Sequence, residues 1–216
     1  MNSPTPIVII GNQGFAKEIE WLISDINRFP GSSVSYDFRG FIDHTENPTN
    51  ENILGDDSWA INHLSKKTRF VIAIGNPSLR KKLADKYLSE GFLPATLIHP
   101  SVQLSESVSV GEGSLICAGV VMTVNIHLGG FCILNLNSTV GHGSRLGSFV
   151  TLAPGCHISG EVKIGSECEL GTGAVVLPEC ALADSIILGA GAVATQNLAE
   201  AGTYVGVPAR KISPSP

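Results

Sequence analysis

"VGHGSRLGSFVTLAPGCHISGEVK", residues 140–163, decides the fold. Cut into sixes it reads VGHGSR, LGSFVT, LAPGCH, ISGEVK, and every first residue is a bulky aliphatic. The same phase runs outward in both directions, from Ile98 to Val193, through sixteen hexads without an insertion. The first residue is always Ile, Leu, Val or Met, and the fifth is always Val, Ile, Ala, Ser or Cys. Fifth and next-first residues lie two apart, so both point to one side of a short strand. The three residues between them form a corner, where glycine and asparagine recur because corners need dihedrals that a β-carbon resists. Three such sides, one hexad each, make one coil of a hexapeptide solenoid or parallel β-helix.

The first half follows another grammar. "PIVIIG" (6–11) is a short apolar run ending in glycine, as a buried parallel strand would be. "FAKEIEWLISDI" then sets Ile19, Leu22, Ile23 and Ile26 on one helical face. "DFRGFID", ending at Asp43, and "RFVIAIG" (69–75) read as further strands, and "ATLIH" as a last one. In "NPSLRKKLADKYL" Asn76 is the N-cap and Pro77 the first helical residue. Strand–helix alternation predicts a small parallel α/β domain over residues 1–97, followed by the β-helix and a tail over 98–216.

Composition excludes several classes of function. The net charge of −5 makes nucleic acid or an anionic membrane an unfavourable partner. The start lacks a basic region followed by a long apolar run, so neither a signal peptide nor a membrane span is expected, and a cytoplasmic location is. Five cysteines without a C-x-x-C pair point to reduced thiols. Cys132, Cys156, Cys168 and Cys180 hold the fifth, inward position and Cys117 a corner; all read as structural.

His127, His142 and His157 invite a zinc reading. They are spaced two and a half hexads apart, so they do not stack on one edge of a single chain. His127 and His157 fall on flat outward faces as solvated side chains, and no metal is expected. His142 sits between Gly141 and Gly143 on a corner and projects outward: a general base, or a solvated corner residue. In the first half, "GNQG" (11–14) ends a strand and opens a helix, fit for a phosphate or simply for a tight turn. The fingerprint G-x-G-x-x-G is absent, so NAD is not implied. Asp43 ends the second strand, and "IGNPSLR" ends the third and carries Arg80 one turn in. Such strand ends meet where an open parallel sheet binds ligands, so the domain is a nucleotide-recognition module or a support for the solenoid.

The order "IVIIGNQGFAKEI", "GFID", "VIAIGN", "LIHPSV", then hexads closing with "YVGVPARK", resembles the sugar-nucleotide acetyltransferases of the NeuD/PglD/PerB type, over residues 6 to 211. The resemblance implies a homotrimer of chains with a Rossmann-like N-terminal domain and a left-handed β-helix, with active sites between subunits. It implies N-acetylation of a nucleotide-linked amino sugar, such as a 4-amino-4,6-dideoxy sugar, by acetyl-CoA. His142 would be the general base, and Gly11, Gly14, Asp43, Gly75, Asn76 and Asn135 would face the sugar nucleotide. Gly160, Gly171, Thr172, Gly189 and Ala190 would hold acetyl-CoA, with the Gly160 N–H on the thioester carbonyl. The chain departs from the family at Gly143, where an acid follows the histidine, and at Phe15, where a histidine is common. A sugar O-acetyltransferase of the sialic-acid type, a non-catalytic solenoid binding protein and, more distantly, a zinc hydro-lyase are the competing functions.

Overall fold

The structure, a computed structural model, describes residues 3–44 and 52–212. The N-terminal part contains β1 (Thr5–Ile10), α1 (Gly14–Arg28), β2 (Tyr36–Ile42), β3 (Ile53–Gly55), α2 (Asp57–His63), β4 (Arg69–Ile72), α3 (Pro77–Ser89) and β5 (Leu93–Pro94). The strands form one parallel sheet in the order β3-β2-β1-β4-β5. The order reverses between β1 and β4, which opens a crevice at their carboxyl ends. The apolar face of α1, Ile19, Leu22, Ile23 and Ile26, is buried as its spacing predicts. Asn76 caps α3 by accepting from the Leu79 N–H at 2.9 Å, with Pro77 in the first turn.

The sequence strands need three amendments. "ATLIH" does not join this sheet: Leu97–Ile98 pairs with Leu115–Ile116 and is the first rung of the β-helix. The fifth strand is instead Leu93–Pro94, which a proline disguises. The short β3 and α2 leave no trace in the sequence pattern, because neither is long enough to show a period.

From Leu97 onward, two-residue strands stack into three parallel sheets, each strand pairing with one three hexads further on. The result is the left-handed parallel β-helix expected. Around one coil, strands such as Ile133–Leu134 (face one), Thr139–Val140 (face two) and Arg145–Leu146 (face three) alternate with corners. First and fifth residues fill the interior, as Leu134, Cys132, Val140, Leu146 and Val150 show. Eight corners carry a non-glycine residue with positive φ at the fourth position, including Asn125, Phe149 and Glu161. Tyr204 and Ala209 close the C-terminal end of this core, carried by Gly202–Val205 and Arg210–Lys211.

The small fifth residues also carry polar groups into the interior. Ser114, Ser138 and Ser144 are fully buried, and their hydroxyls donate to the carbonyls of Gly129, Ala153 and Ser159 at 3.0–3.2 Å. Cys132, Cys156 and Cys168 direct their thiols at Gly147, Gly171 and Ala183 in the same way. In every case the acceptor lies two and a half hexads on, at the corner of the next coil, so a buried polar atom is satisfied by the repeat itself. Burial pushes the thiols up, to about 12 for Cys132 and about 11 for Cys156 and Cys168. These cysteines are therefore protonated interior filler.

Face one of the β-helix is covered by the α/β part. Its outward residues Leu115 and Ile133 are buried in one cluster with Ile19, Ile23 and Ile9. Full burial of each such aliphatic side chain contributes about 1.5–3 kcal/mol. Cys117, read from sequence as a corner residue, is covered by this contact and its thiol is raised to about 12 by burial. Among the described residues, no helix is long and apolar enough to cross a membrane.

Candidate active site

The residues singled out from sequence fall in three places: a crevice in the α/β part and two different corners of the β-helix. The first is the crevice at the end of β1 and β4, with a volume of about 620 Å³. Gly11, Asp43 and Gly75 line it. Gly11 has φ +106°, and an added β-carbon would lie 3.2 Å from the Ala73 carbonyl, so this turn requires glycine. Gln13 precedes α1 as N-cap without a side-chain cap hydrogen bond, which leaves the helix N-terminus open to an anionic ligand. Gly14 and Asn76 do not line the crevice: Gly14 is already helical, and the Asn76 oxygen is committed to its cap.

The crevice wall also holds His44 and Asp57, which sequence reasoning missed. Asp57 accepts from the Tyr87 hydroxyl at 2.9 Å and from the Lys86 ammonium at 3.0 Å, and faces His44 Nε2 at 3.4 Å. Burial works to raise the Asp57 carboxyl, but the hydrogen bonds from Lys86 and Tyr87 outweigh it and hold the group below the usual value. Its sequence signal was Asp56–Asp57 at a helix start, a pattern that capping alone accounts for.

Arg80 does not enter the crevice. It is buried, and all five guanidinium N–H groups have partners. Nε donates to Phe131 O at 2.8 Å, Nη1 to Ile74 O and Gly75 O at 2.7 and 2.9 Å, and Nη2 to Phe149 O and Thr151 Oγ1 at 2.8 and 2.9 Å. Thr151 donates in turn to Gly75 O at 2.7 Å. The crevice floor is thus bolted to the β-helix. Burial lowers the guanidinium to about 10.

The second region is the corner after face two. Val140 is buried, and Gly141-His142-Gly143 turn outward, with the His142 side chain 65% exposed. The imidazole leans onto the next coil. A β-carbon built on Gly160 would lie 2.5 Å from His142 Nε2 and 2.6 Å from Cε1, so the ring lies across that glycine. Among the described residues no group accepts from the Gly160 N–H. The buried Ser144 hydroxyl fixes this stretch by donating to Ser159 O at 3.0 Å and accepting from Val162 N at 3.2 Å. On the other side of the ring, His142 Nδ1 stands 3.6 Å from a carboxylate oxygen of Glu161.

Asn135, Gly171, Thr172, Gly189 and Ala190 are not in that group. They lie on the corner after face one, a different edge of the prism. The Asn135 side chain accepts from its neighbour Leu136 N at 2.7 Å. His127 and His157 stand on flat faces, exposed, with Ser109 and Thr139 as partners at 2.7 and 3.0 Å. Among the described residues no cluster of three or more His, Cys, Asp or Glu is arranged to hold a metal ion.

The glycine under the imidazole makes a sharp prediction. Gly160 has no positive φ, so alanine fits the backbone, but its methyl takes the place of the ring. Gly160→Ala is expected to leave thermal stability within about 0.5 kcal/mol. It is expected to push the His142 ring about 1 Å from its present place, a displacement that would cost a positioned group about 100-fold in rate. Melting and an NMR spectrum of the ring on the same preparation check both halves.

Residues 6–87 match the family model of the PglD N-terminal domain. The chain is 34% identical over 94 residues to the GDP-perosamine N-acetyltransferase of Escherichia coli O157:H7, a stretch covering 44% of this chain and 42% of that protein. The alignment thus spans less than half the length of that curated relative. Solved structures match throughout. PerB from Caulobacter crescentus, in complex with CoA and GDP-perosamine, superposes with a TM-score of 0.87 at 32% identity, covering 96% of this chain and 97% of that one. The acetyltransferase domain of PglB from Neisseria gonorrhoeae, in complex with acetyl coenzyme A, gives 0.88 at 28% identity, over 97% and 100%. On this likeness across both halves, the chain belongs to the sugar-nucleotide acetyltransferases of the NeuD/PglD/PerB type.

Proposed function

We propose that this protein transfers the acetyl group of acetyl-CoA to the amino group of a nucleotide-linked amino sugar, of the 4-amino-4,6-dideoxy type, with His142 as general base. The observation that carries the proposal is His142 Nε2 lying across Gly160, whose N–H has no acceptor among the described residues. A base and an oxyanion donor stand side by side on one corner. The neutral sugar amine attacks the thioester carbon, forming a C–N bond, and Nε2 takes the amine proton. The thioester oxygen gains charge and is met by the Gly160 N–H. Collapse breaks the C–S bond, and the imidazolium returns the proton to the departing sulfur. No protein nucleophile is needed, in keeping with thiols that are buried and protonated.

Geometry also supports a homotrimer with shared sites. The N-terminal part covers face one, and the His142 corner is the edge opposite that face. A sugar nucleotide held in the crevice by Gly11, Asp43 and Gly75 is therefore on the far side of its own protomer from His142. A second copy must present its His142 edge to that crevice. The same packing lets Gly171, Thr172, Gly189 and Ala190 of one copy face Gly160 of another across a groove for acetyl-CoA, with Asn135 on the sugar-nucleotide side. The cytoplasm, where five free thiols stay reduced, suits this reading.

The test is an assay of the purified protein with acetyl-CoA and 4-amino-4,6-dideoxy sugars linked to UDP, GDP and dTDP, read by CoA release and product mass. Transfer to at least one, by a trimer in sedimentation, is expected. No transfer and no CoA binding would sink the proposal. Transfer to hydroxyl sugars alone would replace it with O-acetylation.

A further inference from the structure

The fourth residues of four successive hexads on the His142 edge form a column: Asn125, Gly143, Glu161 and Glu179, one per coil. All four have positive φ, from 56° to 70°. Side chains at successive coils of this column stand over one another. At Gly143 there is none, and the carboxylate of Glu161, from the next coil, occupies that space. A β-carbon built on Gly143 collides with Glu161 Oε1, Cδ and Oε2. There the carboxylate faces His142 Nδ1 at 3.6 Å, while Nε2 lies across Gly160. The Glu161 backbone is tied to the same residue: its N–H donates to His142 O at 2.7 Å. The coil that supplies Gly160 therefore also supplies a carboxylate to the opposite nitrogen of the ring.

From this we infer that Glu161 is the positioning residue for His142, and that Gly143 is glycine to admit it. The inference rests on His142 being the base. A carboxylate at Nδ1 holds the proton on that nitrogen and leaves Nε2 as the acceptor toward the substrate. It also stabilises the imidazolium once the amine proton arrives. The separation of 3.6 Å is longer than a hydrogen bond, and a small rotation of either exposed side chain closes it, as happens when catalytic hydrogen bonds tighten around a substrate. Glu179, one coil further, is held away from the ring by the Glu161 coil between them; its N–H donates to Gly160 O at 3.1 Å.

The test moves the carboxylate along the column. Glu161→Asn keeps a residue that tolerates positive φ, as Asn125 does, but is too short to reach Nδ1. It is expected to lower kcat at least tenfold with little change in KM for acetyl-CoA. The double variant Gly143→Asp with Glu161→Asn puts an acid directly beside the histidine and clears the space for it; it is expected to recover most of kcat. Glu161→Asn added to His142→Ala is expected to cost nothing further. A ¹⁵N spectrum of the His142 ring, which needs no turnover, is expected to show the Nδ1–H tautomer in the wild type and a mixture in Glu161→Asn. Unchanged kcat and an unchanged ring spectrum in Glu161→Asn would overturn the inference. A tautomer shift in a protein that acetylates nothing would instead uphold the pairing and remove the proposed reaction.

Discussion

Replacement of His142 by alanine is expected to lower kcat for acetyl transfer by about 10²–10⁴-fold, the usual contribution of a positioned general base. The fold is expected to be unaffected, because the side chain is 65% exposed and covers only a glycine. KM for both substrates is expected to stay within a few-fold, since the loss falls on the transition state rather than on binding. Raising the pH is expected to recover part of the rate, because hydroxide then takes the proton that the attacking amine gives up. A variant with near wild-type kcat would remove His142 from the mechanism and leave the family assignment standing. Melting temperature, steady-state kinetics and CoA binding on one preparation separate these outcomes.

Loss of Arg80 is expected to be the most destabilising single change in the chain. Five N–H groups converge on four backbone carbonyls and one hydroxyl drawn from both halves of the molecule. Arg80→Met keeps the length of the side chain but takes the arginine donors from the carbonyls of Phe131, Ile74 and Phe149, while Gly75 O keeps only the Thr151 hydroxyl. Each buried acceptor left without a donor costs about 1–3 kcal/mol, so even with the arginine's own desolvation cost relieved the net loss is roughly 3–5 kcal/mol. At about 2–4 °C per kcal/mol for a chain of this size, the melting temperature falls by roughly 10 °C. Lysine does not rescue, because three donors on a point cannot reach carbonyls spread around a planar fork. Because Gly75 forms the crevice floor, weaker nucleotide binding accompanies the loss. A melting temperature indistinguishable from wild type would show that the apolar contact of Ile23 and Ile133 holds the halves together unaided.

The β-helix was legible because its rule is strict. A bulky first residue and a small fifth one, sixteen times over, admit no competing period, and they place Cys132, Cys156 and Cys168 correctly. The crevice was legible in outline through Gly11, Asp43 and Gly75, since strand ends announce themselves by apolar runs that stop at glycine or acid. Other features were hidden for physical reasons. The pairing of Leu97 with Leu115 depends on which neighbour a strand meets, and periodicity within a strand does not record that. Arg80 looked like a crevice residue because its partners, Phe131, Phe149 and Thr151, lie 51 to 71 residues away and, apart from the threonine hydroxyl, act through backbone carbonyls. The partner of His142 was within reach of the sequence. Moving one coil, or three hexads, on from Gly143 gives Glu161, and a glycine below a long acid was the signal.

The buried serines and cysteines that donate to a corner of the following coil join each coil only to its neighbour. A stack tied in this way melts as a zipper does, from an unclasped end. The α/β half grips the early coils through Leu115, Ile133 and Arg80, so the loose end is the one sealed by Tyr204 and Ala209. Gly160 sits two coils inside that seal and His142 three. Fraying at the tail therefore dies out before it reaches them, and the geometry of that corner is insulated from the least stable part of the molecule.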